Sequence, residues 1–315
     1  MSLLFGYFMK VAAIIVTYNG MKWYKNCFDS LMNSSIPVDI IIVDNKSSDE
    51  TIDFIKQNYP EVHLIENEIN LGFGKANNLG LKYAIGQNAD YIFLLNQDAW
   101  VKPDTIERLI QKMEENPEYG ILSPIHLDGT EQNLDFNFSY YILPDRCPGL
   151  ISDYVTKGEA EDKIYPFKFV NAALWLVSRK CIDTVGGFDP LFPHYGEDEN
   201  YIQRLDYHKL QVGLYPKVFG IHDRSRSEWR KPTYKSKKNK ELVVSLLVLT
   251  NIHQSFFKSI GRFIFANIAS SLKNLIRFSF QDFVIDVAVF YRIIFLLPRI
   301  SRNRTISKEK GTAFL

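Results

Sequence analysis

The sequence predicts an α/β fold, a mostly parallel β-sheet flanked by helices, with a C-terminal α-helical extension. Three observations lead to this prediction. Short apolar runs alternate with helical patterns in the N-terminal part of the chain, which is typical of strands joined by crossover helices. Polar residues directly follow several of these runs. After Glu241 the chain changes to long apolar stretches with interspersed Lys and Arg.

The first elements follow one another closely. Residues 11–16 (VAAIIV) form an uninterrupted apolar run, which predicts a strand buried on both faces. Residues 21–32 predict a helix, and a second apolar run predicts a strand that ends at Asp44. Residues 50–57 predict the next helix, because the serines and the aspartate before it offer capping oxygens.

The alternation continues through the next segments. VHLIEN predicts a third strand, and the glycine-rich NLGFGKANNLG opens a helix that runs to about residue 85. YIFLLNQD predicts a fourth strand, and Pro103 suits the first turn of the helix that follows. Residues 127–165, rich in Asn, Asp, Pro, Gly and aromatics, predict a loop or mobile insert. FVNAALWLVSR then predicts a strand, followed by a short helix, and KVFGIHD predicts a strand that ends near His222.

Composition and charge place the chain among ordinary globular proteins. It is 46% apolar and 23% charged, and its three cysteines lack the spacing of a disulfide framework or a zinc site, which indicates a reducing compartment. The N-terminal MSLLFGYFMK has its lysine after the apolar run and no small-residue cleavage site, so we do not expect a signal peptide. We therefore expect a cytoplasmic protein.

The net charge of +1 hides an uneven distribution. From Arg224 onward the chain has 18 Lys and Arg against 5 Asp and Glu, whereas the preceding part has 19 against 31. We divide the chain into a body, residues 1–230, and a basic amphipathic helical extension, residues 231–315. The extension's apolar runs are shorter or more interrupted than the roughly 20 apolar residues of a membrane-spanning helix.

The extension has two interpretations. Amphipathic helices lying on an anionic membrane surface suit the interleaved basic and apolar residues, and would place the protein peripherally at the inner face of the plasma membrane. The alternative is a helical subdomain that packs on the body. A nucleic-acid partner suits the long apolar runs less well than lipid does, so we expect none.

The ends of the predicted strands indicate a ligand site, because ligands of parallel α/β sheets bind at the strands' carboxyl ends. Asp44 is placed to accept hydrogen bonds from a base or a ribose, and Tyr18 to stack on a base; both residue types also serve as caps. Asn96 and Asp98, which strand alternation would direct to the same side, suit a divalent cation that neutralises a diphosphate. The competing interpretation is an Asx cap of the following turn.

Two further segments carry polar groups of interest. The backbone N–H groups after Gly72 and Gly74, with Lys75, suit a phosphate, although a plain turn is equally consistent and Asn77 breaks the dinucleotide fingerprint. In FDPLFPHYGEDENY three consecutive acids raise one another's pKa values. They indicate either a proton-accepting group or the acidic first turn of a helix. The lone His222 gains significance only if Asp98 lies nearby.

The order VTYNG, VDNKSSDET, NLGFGKANNLG, LLNQD and GGFDPLFPHYGEDENYIQR resembles the family 2 glycosyltransferases with the GT-A fold, especially the rhamnosyltransferase-like branch. The resemblance covers about residues 11–226. It implies an inverting enzyme of cell-surface polysaccharide synthesis. The donor would be a UDP- or dTDP-sugar, with rhamnose first, and the acceptor a hydroxyl of a glycan or lipid-linked molecule.

The resemblance also implies residue roles. Asp198 matches the general base, and Glu197 beside it is a candidate contact to the acceptor hydroxyl. Asp98 matches the last acid of the D-x-D metal motif and His222 a further ligand of Mg²⁺ or Mn²⁺, while Asn96 replaces the first acid and implies weaker cation binding. The expected nucleotide-binding residues are Thr17, Tyr18, Asp44, Asn45, Lys75, Asn78, Asn96 and Gln97.

Two rival functions follow from departures from these patterns. Asn96, with one negative charge fewer than an aspartate, favours a non-catalytic sugar-nucleotide or glycan-binding protein on the same fold. A nicotinamide-dependent oxidoreductase is disfavoured by the missing third glycine of the dinucleotide fingerprint.

Overall fold

The computed structural model describes residues 9–224 and 232–315. The predicted boundary at 230/231 lies outside the described residues. The strands are β1 (Val11–Thr17), β2 (Asp39–Asp44), β3 (His63–Glu66), β4 (Tyr91–Asn96), β5 (Ala99–Val101), β6 (Tyr119–Leu127), β7 (Tyr165–Pro166), β8 (Leu174–Ser178) and β9 (Gln211–His222). The helices are α1 (Tyr24–Met32), α2 (Thr51–Asn58), α3 (Phe73–Gly86), α4 (Thr105–Glu115), α5 (Phe136–Tyr141), α6 (Leu150–Lys157), α7 (Arg179–Val185), α8 (Glu197–Tyr207), α9 (Tyr234–Thr250), α10 (Phe256–Ile276) and α11 (Phe280–Lys308).

The strands form one sheet in the order β3-β2-β1-β4-β8-β6-β9-β5, with β7 paired to β9. β1 pairs in parallel with β2 and β4, and Ile14 lies opposite both Ile41 and Leu94. β8 runs antiparallel between β4 and β6, while β6 and β9 are again parallel. The predicted mostly parallel sheet flanked by helices is confirmed, and the antiparallel β8 joins its two parallel regions.

Helices cover both faces of the sheet. The side chain of Ile14 packs under α3, and that of Ile15 lies in a second apolar cluster with α1 and α4. A Cβ atom at Gly80 of α3 would lie 2.6 Å from Cγ2 of Ile14, so glycine lets the helix backbone approach β1 closely. The uninterrupted apolar run of β1 is explained by this burial on both sides.

Two helix starts differ from the prediction. α2 begins at Thr51 after Glu50, which makes no side-chain capping bond. Of the side chains predicted to cap it, Asp49 accepts from the Thr51 backbone N–H at 3.1 Å, whereas the Ser47 hydroxyl donates to Asp44. α4 begins at Thr105, so Pro103 precedes the N-cap rather than occupying the first turn. Helix propensity alone predicts neither which side chain caps α2 nor the residue at which α4 begins.

The prediction of a loop for residues 127–165 was wrong. The segment contains α5 and α6, and Phe138, Cys147 and Leu150 from it are buried in the same cluster as Ile14. Its helices have six and eight residues, which is too short for a clear helical period. The segment therefore packs on the sheet and forms one wall of the site described below.

The C-terminal helices pack on the body. α9, α10 and α11 share a third apolar cluster with Leu191 and Phe192, which precede α8. The Arg304 guanidinium is buried and donates to the carbonyls of Leu249 and Asn251, at 2.7 and 2.6 Å. None of the helices in residues 9–224 and 232–315 combines the length and apolarity that crossing a bilayer requires. Packing on the body therefore accounts for one face of the extension.

All three cysteines are reduced and buried. Cys27 lies in α1, Cys147 in the segment between α5 and α6, and Cys181 in α7. Burial raises the pKa of the Cys147 and Cys181 thiols to about 12, and raises that of Cys27 further, with a contribution from the charge of Asp98. These thiols therefore stay protonated and contribute to packing in the protein interior.

Candidate active site

The ends of β1 and β2 meet at one edge of the sheet. Thr17 lies opposite Asp44, and its hydroxyl donates to Asp44 Oδ1 at 2.9 Å. The backbone N–H of Ser47 donates to Asp44 Oδ2 at 2.9 Å. Asp44 is buried, and both of its oxygens accept hydrogen bonds that order the loop before α2. The Asp44 carboxylate thus has an internal role, which is to shape the loop between β2 and α2.

Tyr18 and Gln97 form a reciprocal pair at the same edge. The Tyr18 backbone N–H donates to Gln97 Oε1 at 2.9 Å, and Gln97 Nε2 donates to the Tyr18 carbonyl at 3.2 Å. The Tyr18 side chain is 48% exposed. Gln97 therefore positions the backbone of Tyr18 and leaves its ring open to a ligand.

Two amides predicted to bind the nucleotide make hydrogen bonds to backbone segments. Asn45 is buried and accepts from the Leu71 backbone N–H at 3.2 Å, which fixes the start of the glycine-rich loop. Asn78 donates to the Phe188 carbonyl at 2.8 Å and accepts from the Phe188 backbone N–H at 2.7 Å. Lys75 lies half-buried in the first turn of α3. The glycine-rich loop is thus tied both to β2 and to the segment before α8.

A histidine, an aspartate and an asparagine converge at the ends of β4 and β9. Asp98 Oδ1 lies 3.4 Å from His222 Nε2, and Asn96 Nδ2 lies 3.4 Å from the same nitrogen. Strand alternation is not the reason, because β4 ends at Asn96 and Asp98 lies in the turn before β5. Pairing of β5 with β9 places Ala99 opposite His222 and brings the groups together.

Sequence reasoning missed the surroundings of His222. Arg224 Nε donates to His222 Nδ1 at 3.1 Å, and the buried Asp135 carboxylate lies 3.4 Å from the same guanidinium nitrogen. Asp135 also accepts from the Phe138 backbone N–H at 2.8 Å and so caps α5. An aspartate three residues before that N–H is the one sequence signal that pointed to it.

The residues at this point fit a hard divalent cation in part. A carboxylate oxygen, an imidazole nitrogen and an amide oxygen are suitable ligands. Among the described residues, however, no group of three or more His, Cys, Asp or Glu side chains is close enough to hold a metal. Asp98 and His222 thus offer two potential ligand atoms, and a complete coordination shell would need further oxygens from a bound molecule.

The acidic triplet opens α8. Glu197 is 5% exposed, and burial, reinforced by the charge of Asp198, raises its pKa to about 8. Within the described part of the chain, its Oε2 atom has no hydrogen-bond partner. Burial raises the pKa of Asp198 to about 6, although the Glu199 backbone N–H donates to its Oδ1 at 2.9 Å and opposes the shift. Glu197 is thus protonated at neutral pH, whereas most Asp198 is ionised.

Buried hydrogen bonds fix the start of α8. The buried Arg204 guanidinium donates to the carbonyls of Val185 and Gly187, at 2.7 and 2.5 Å, and to Asn200 Oδ1 at 3.1 Å. Asn200 in turn donates to the Thr250 hydroxyl of α9 at 3.1 Å. The helical extension and the GGFD segment therefore fix the helix that carries Asp198.

The two groups of residues face one cleft of about 1210 Å³. Asn96, Asp98 and His222 line one part of it, and Glu197 and Asp198 line another. The structure thus brings all four predicted catalytic and metal-binding residues, Asp98, His222, Glu197 and Asp198, to one cavity together with Asn96. Thr17, Tyr18 and Asp44 are not among its lining residues and lie together at the ends of β1 and β2.

Residues 12–171 match the family model described as Glycosyl transferase family 2. The N-acetylglucosaminyl-diphospho-decaprenol L-rhamnosyltransferase of Mycobacterium tuberculosis is 25% identical over 246 residues, 70% of this chain and 78% of that protein. The dTDP-rhamnosyl transferase RfbF of Shigella flexneri is 28% identical over 217 residues, 67% of this chain and 68% of that protein. A solved mannosyltransferase of Pyrobaculum calidifontis, in complex with GDP-Man and Mn²⁺, has 14% identity and a TM-score of 0.57 over 91% of this chain and 75% of that one, which shows a shared fold.

Proposed function

Because this chain belongs to glycosyl transferase family 2 and is a glycosyltransferase, we propose that it is an inverting enzyme of polysaccharide synthesis. The proposed donor is a UDP- or dTDP-sugar, with dTDP-rhamnose as the first candidate, and the acceptor is a hydroxyl of a glycan or lipid-linked molecule. The names of the Shigella and mycobacterial relatives support this choice. The observation that carries the proposal is the cleft shared by Asp98, His222 and Asp198.

Asp198 is proposed as the general base. Its carboxylate accepts the proton of the acceptor hydroxyl while the hydroxyl oxygen forms a bond to the anomeric carbon. The bond from that carbon to the diphosphate oxygen breaks on the opposite side, so the configuration inverts and the nucleoside diphosphate leaves with the electron pair. A base with a pKa of about 6 is mostly ionised at neutral pH, yet more basic than an ordinary aspartate.

Glu197 is proposed to position a substrate hydroxyl. Its carboxyl group is buried beside Asp198, and its Oε2 atom lacks a partner in the described residues. In its protonated form at neutral pH it can donate a hydrogen bond, which an ionised neighbour of Asp198 could not do. This explains why two adjacent acids can serve different purposes in one site.

Asp98 and His222 are proposed to hold Mg²⁺ or Mn²⁺ together with the donor diphosphate. When bound, such a cation supplies positive charge that stabilises the leaving diphosphate. Asn96 contributes a neutral amide where a second carboxylate would add negative charge, so cation binding should depend more strongly on the nucleotide. We propose Thr17, Tyr18, Asp44, Asn45, Gln97, Lys75 and Asn78 as the nucleotide-binding region, the amides acting by shaping its loops.

We expect a bell-shaped dependence of kcat/KM on pH. Activity rises as pH passes about 6, because Asp198 must lose its proton to act as a base, and falls as pH passes about 8, because Glu197 then loses the proton it donates. Glu197→Gln should remove the descending limb and keep the ascending one. A descending limb that persists unchanged in this variant would show that Glu197 is not the group responsible.

Donor hydrolysis tests the proposed function. The purified chain is mixed with UDP-, dTDP- and GDP-sugars in the presence of Mg²⁺ or Mn²⁺, and release of the nucleoside diphosphate is measured. We expect slow hydrolysis of at least one UDP- or dTDP-sugar. Binding of a sugar nucleotide without hydrolysis or transfer would favour the rival, a non-catalytic binding protein, which the neutral Asn96 favours. If no donor is bound or hydrolysed, the proposal fails.

We propose that residues 1–230 form the catalytic body and that residues 231–315 support it. The extension carries the basic excess of the chain and contacts the start of α8 through Thr250. We also propose that the protein works in the cytoplasm, at the inner face of the plasma membrane, where a lipid-linked acceptor would be presented.

A further inference from the structure

α10 and α11 form a helical hairpin joined by residues 277–279. Polar side chains between the two helices form hydrogen bonds. Asn267 donates to the Asp286 carbonyl at 3.0 Å, and Asn274 donates to the Asp286 carboxylate at 2.9 Å. The rings of Phe263 and Phe290 stack with their centroids 5.9 Å apart. One side of each helix is thus committed to the other and to the body.

The opposite side of α10 is apolar and open to solvent. Phe257 is 86% exposed, Phe265 is 76% exposed and Ile276 is 77% exposed. Their spacing of eight and eleven residues, together with the exposed Ile268 and Leu272 between them, places them on one helix face, away from the buried Phe263. A soluble protein rarely leaves a continuous apolar stripe of several turns uncovered.

α11 and the hairpin tip extend this surface. Phe280, Val284, Tyr291 and Phe295 recur at helical spacing on the exposed side of α11, opposite the buried face. At the tip, Phe278 is 79% exposed and adopts a left-handed backbone conformation with φ of 55°. We name the exposed apolar residues of α10, of α11 and of the tip the hairpin face.

The charges beside the hairpin face are basic. α10 contains no Asp or Glu, and Lys258, Arg262 and Lys273 lie along one flank of its apolar stripe, with Arg277 just beyond its last turn. All four are exposed, and the acids of α11 face elsewhere, since Asp286 is buried and Asp282 pairs with Lys237 of α9 at 2.8 Å. An apolar stripe flanked by cations complements an anionic lipid surface.

We propose that the hairpin face docks on an anionic bilayer, with its aromatic and aliphatic side chains at the boundary of headgroups and acyl chains. This inference rests on the proposed function, since it supplies the surface where a lipid-linked acceptor would be met. A second copy of this chain is a poorer occupant, because α10 contains no Asp or Glu and the two acids of α11 are paired or buried, so the basic residues of a two-fold-related copy would find no acidic partner on this face. Lipid phosphates pair with those residues instead.

Vesicle flotation of the full chain tests the proposal. Vesicles of phosphatidylcholine with phosphatidylglycerol should carry the protein to the top of the gradient, and vesicles of phosphatidylcholine alone should carry much less. Phe278→Asp and Phe265→Asp should each lower membrane affinity at least about tenfold, since burial of an aromatic side chain is lost. Val155→Asp, at a 79% exposed position of α6, is the matched control and should bind as the wild type does.

The charge requirement is tested in parallel. The double variant Lys273→Glu/Arg277→Glu should lose more than about tenfold in affinity for anionic vesicles, because each basic residue near such a surface contributes about fivefold. Lys25→Glu/Lys82→Glu, which changes two exposed lysines of the body by the same charge, should lose much less. Equal flotation with and without phosphatidylglycerol would overturn the anionic-lipid assignment.

Two measurements separate this inference from its alternatives. Sedimentation that reveals a dimer, dissociated by Phe278→Asp, would assign the hairpin face to self-association and overturn the proposal. Donor hydrolysis in solution, measured on the same variants, should remain at the wild-type rate. Retained hydrolysis without membrane binding by the wild-type protein would refute docking alone, whereas absent hydrolysis with intact flotation would refute the proposed function alone.

Discussion

Asp198→Asn is expected to lower kcat for sugar transfer by about 10³-fold, within the range that general-base catalysis contributes. The amide keeps the shape of the carboxylate and can still accept from the Glu199 backbone N–H, but it cannot take a proton from the acceptor. The Kd of the sugar nucleotide should change by less than about twofold, because the lost function is proton transfer and not donor binding. Transfer rates and isothermal titration with the donor provide the two measurements.

Glu199→Gln is the matched control for this variant. It changes the next acid of the same helix turn, which lies on an exposed side of α8 and does not line the cleft. It should retain most of the transfer activity. A parallel loss of donor affinity in Asp198→Asn would instead assign Asp198 a structural role at the start of α8.

Asp98→Asn is expected to lower kcat/KM by about 10²-fold or more, because it removes the carboxylate that lies 3.4 Å from His222 Nε2 in the cleft. The dependence of nucleoside diphosphate binding on Mn²⁺ should weaken in the same variant. Titration of Mn²⁺, followed by its electron paramagnetic resonance signal with and without the nucleotide, measures this independently of turnover.

Asp104→Asn, at an exposed aspartate that precedes α4, is the control for the loss of one negative charge. It should leave both activity and Mn²⁺ binding unchanged. If Asp98→Asn binds Mn²⁺ in the presence of nucleotide as tightly as the wild type does, then Asp98 is not a cation ligand.

The first half of the sheet could be predicted from the sequence because its signals are local. VAAIIV and DIIIVD are continuous apolar runs, and parallel strands buried on both faces have this pattern. The position of β8 between β4 and β6 could not be predicted, since antiparallel insertion depends on pairing between distant segments. β6 also escaped prediction, and its register shifts near Pro124 disturb the regular ladder.

In the candidate site, too, local signals could be read from the sequence, whereas contacts between distant segments could not. Asp98 and Asp198 were predicted as site residues from the order of the motifs, but that they face one cleft depends on the pairing of β9 with β5 and on the hydrogen bonds by which Arg204 fixes α8. Asp135 was missed because it lies in a segment predicted to be a loop. Asn78 was predicted to bind the nucleotide, and the hydrogen bond of its amide to the backbone of Phe188, across 110 residues, is a contact that no local pattern encodes.

Because its three thiols are buried, the native protein does not react with maleimides or aromatic disulfides until it opens locally. Cys27 lies beneath the carbonyl of Asn96, with a separation of 3.7 Å from Sγ, and Cys181 lies 3.6 Å from the hydroxyl of Tyr201 in α8. Cys147 belongs to the segment that walls the cleft. Their individual alkylation rates, resolved by mass spectrometry, would therefore report the local opening of three separate regions. The rates can be compared with and without the donor, and no reporter group has to be introduced into the protein.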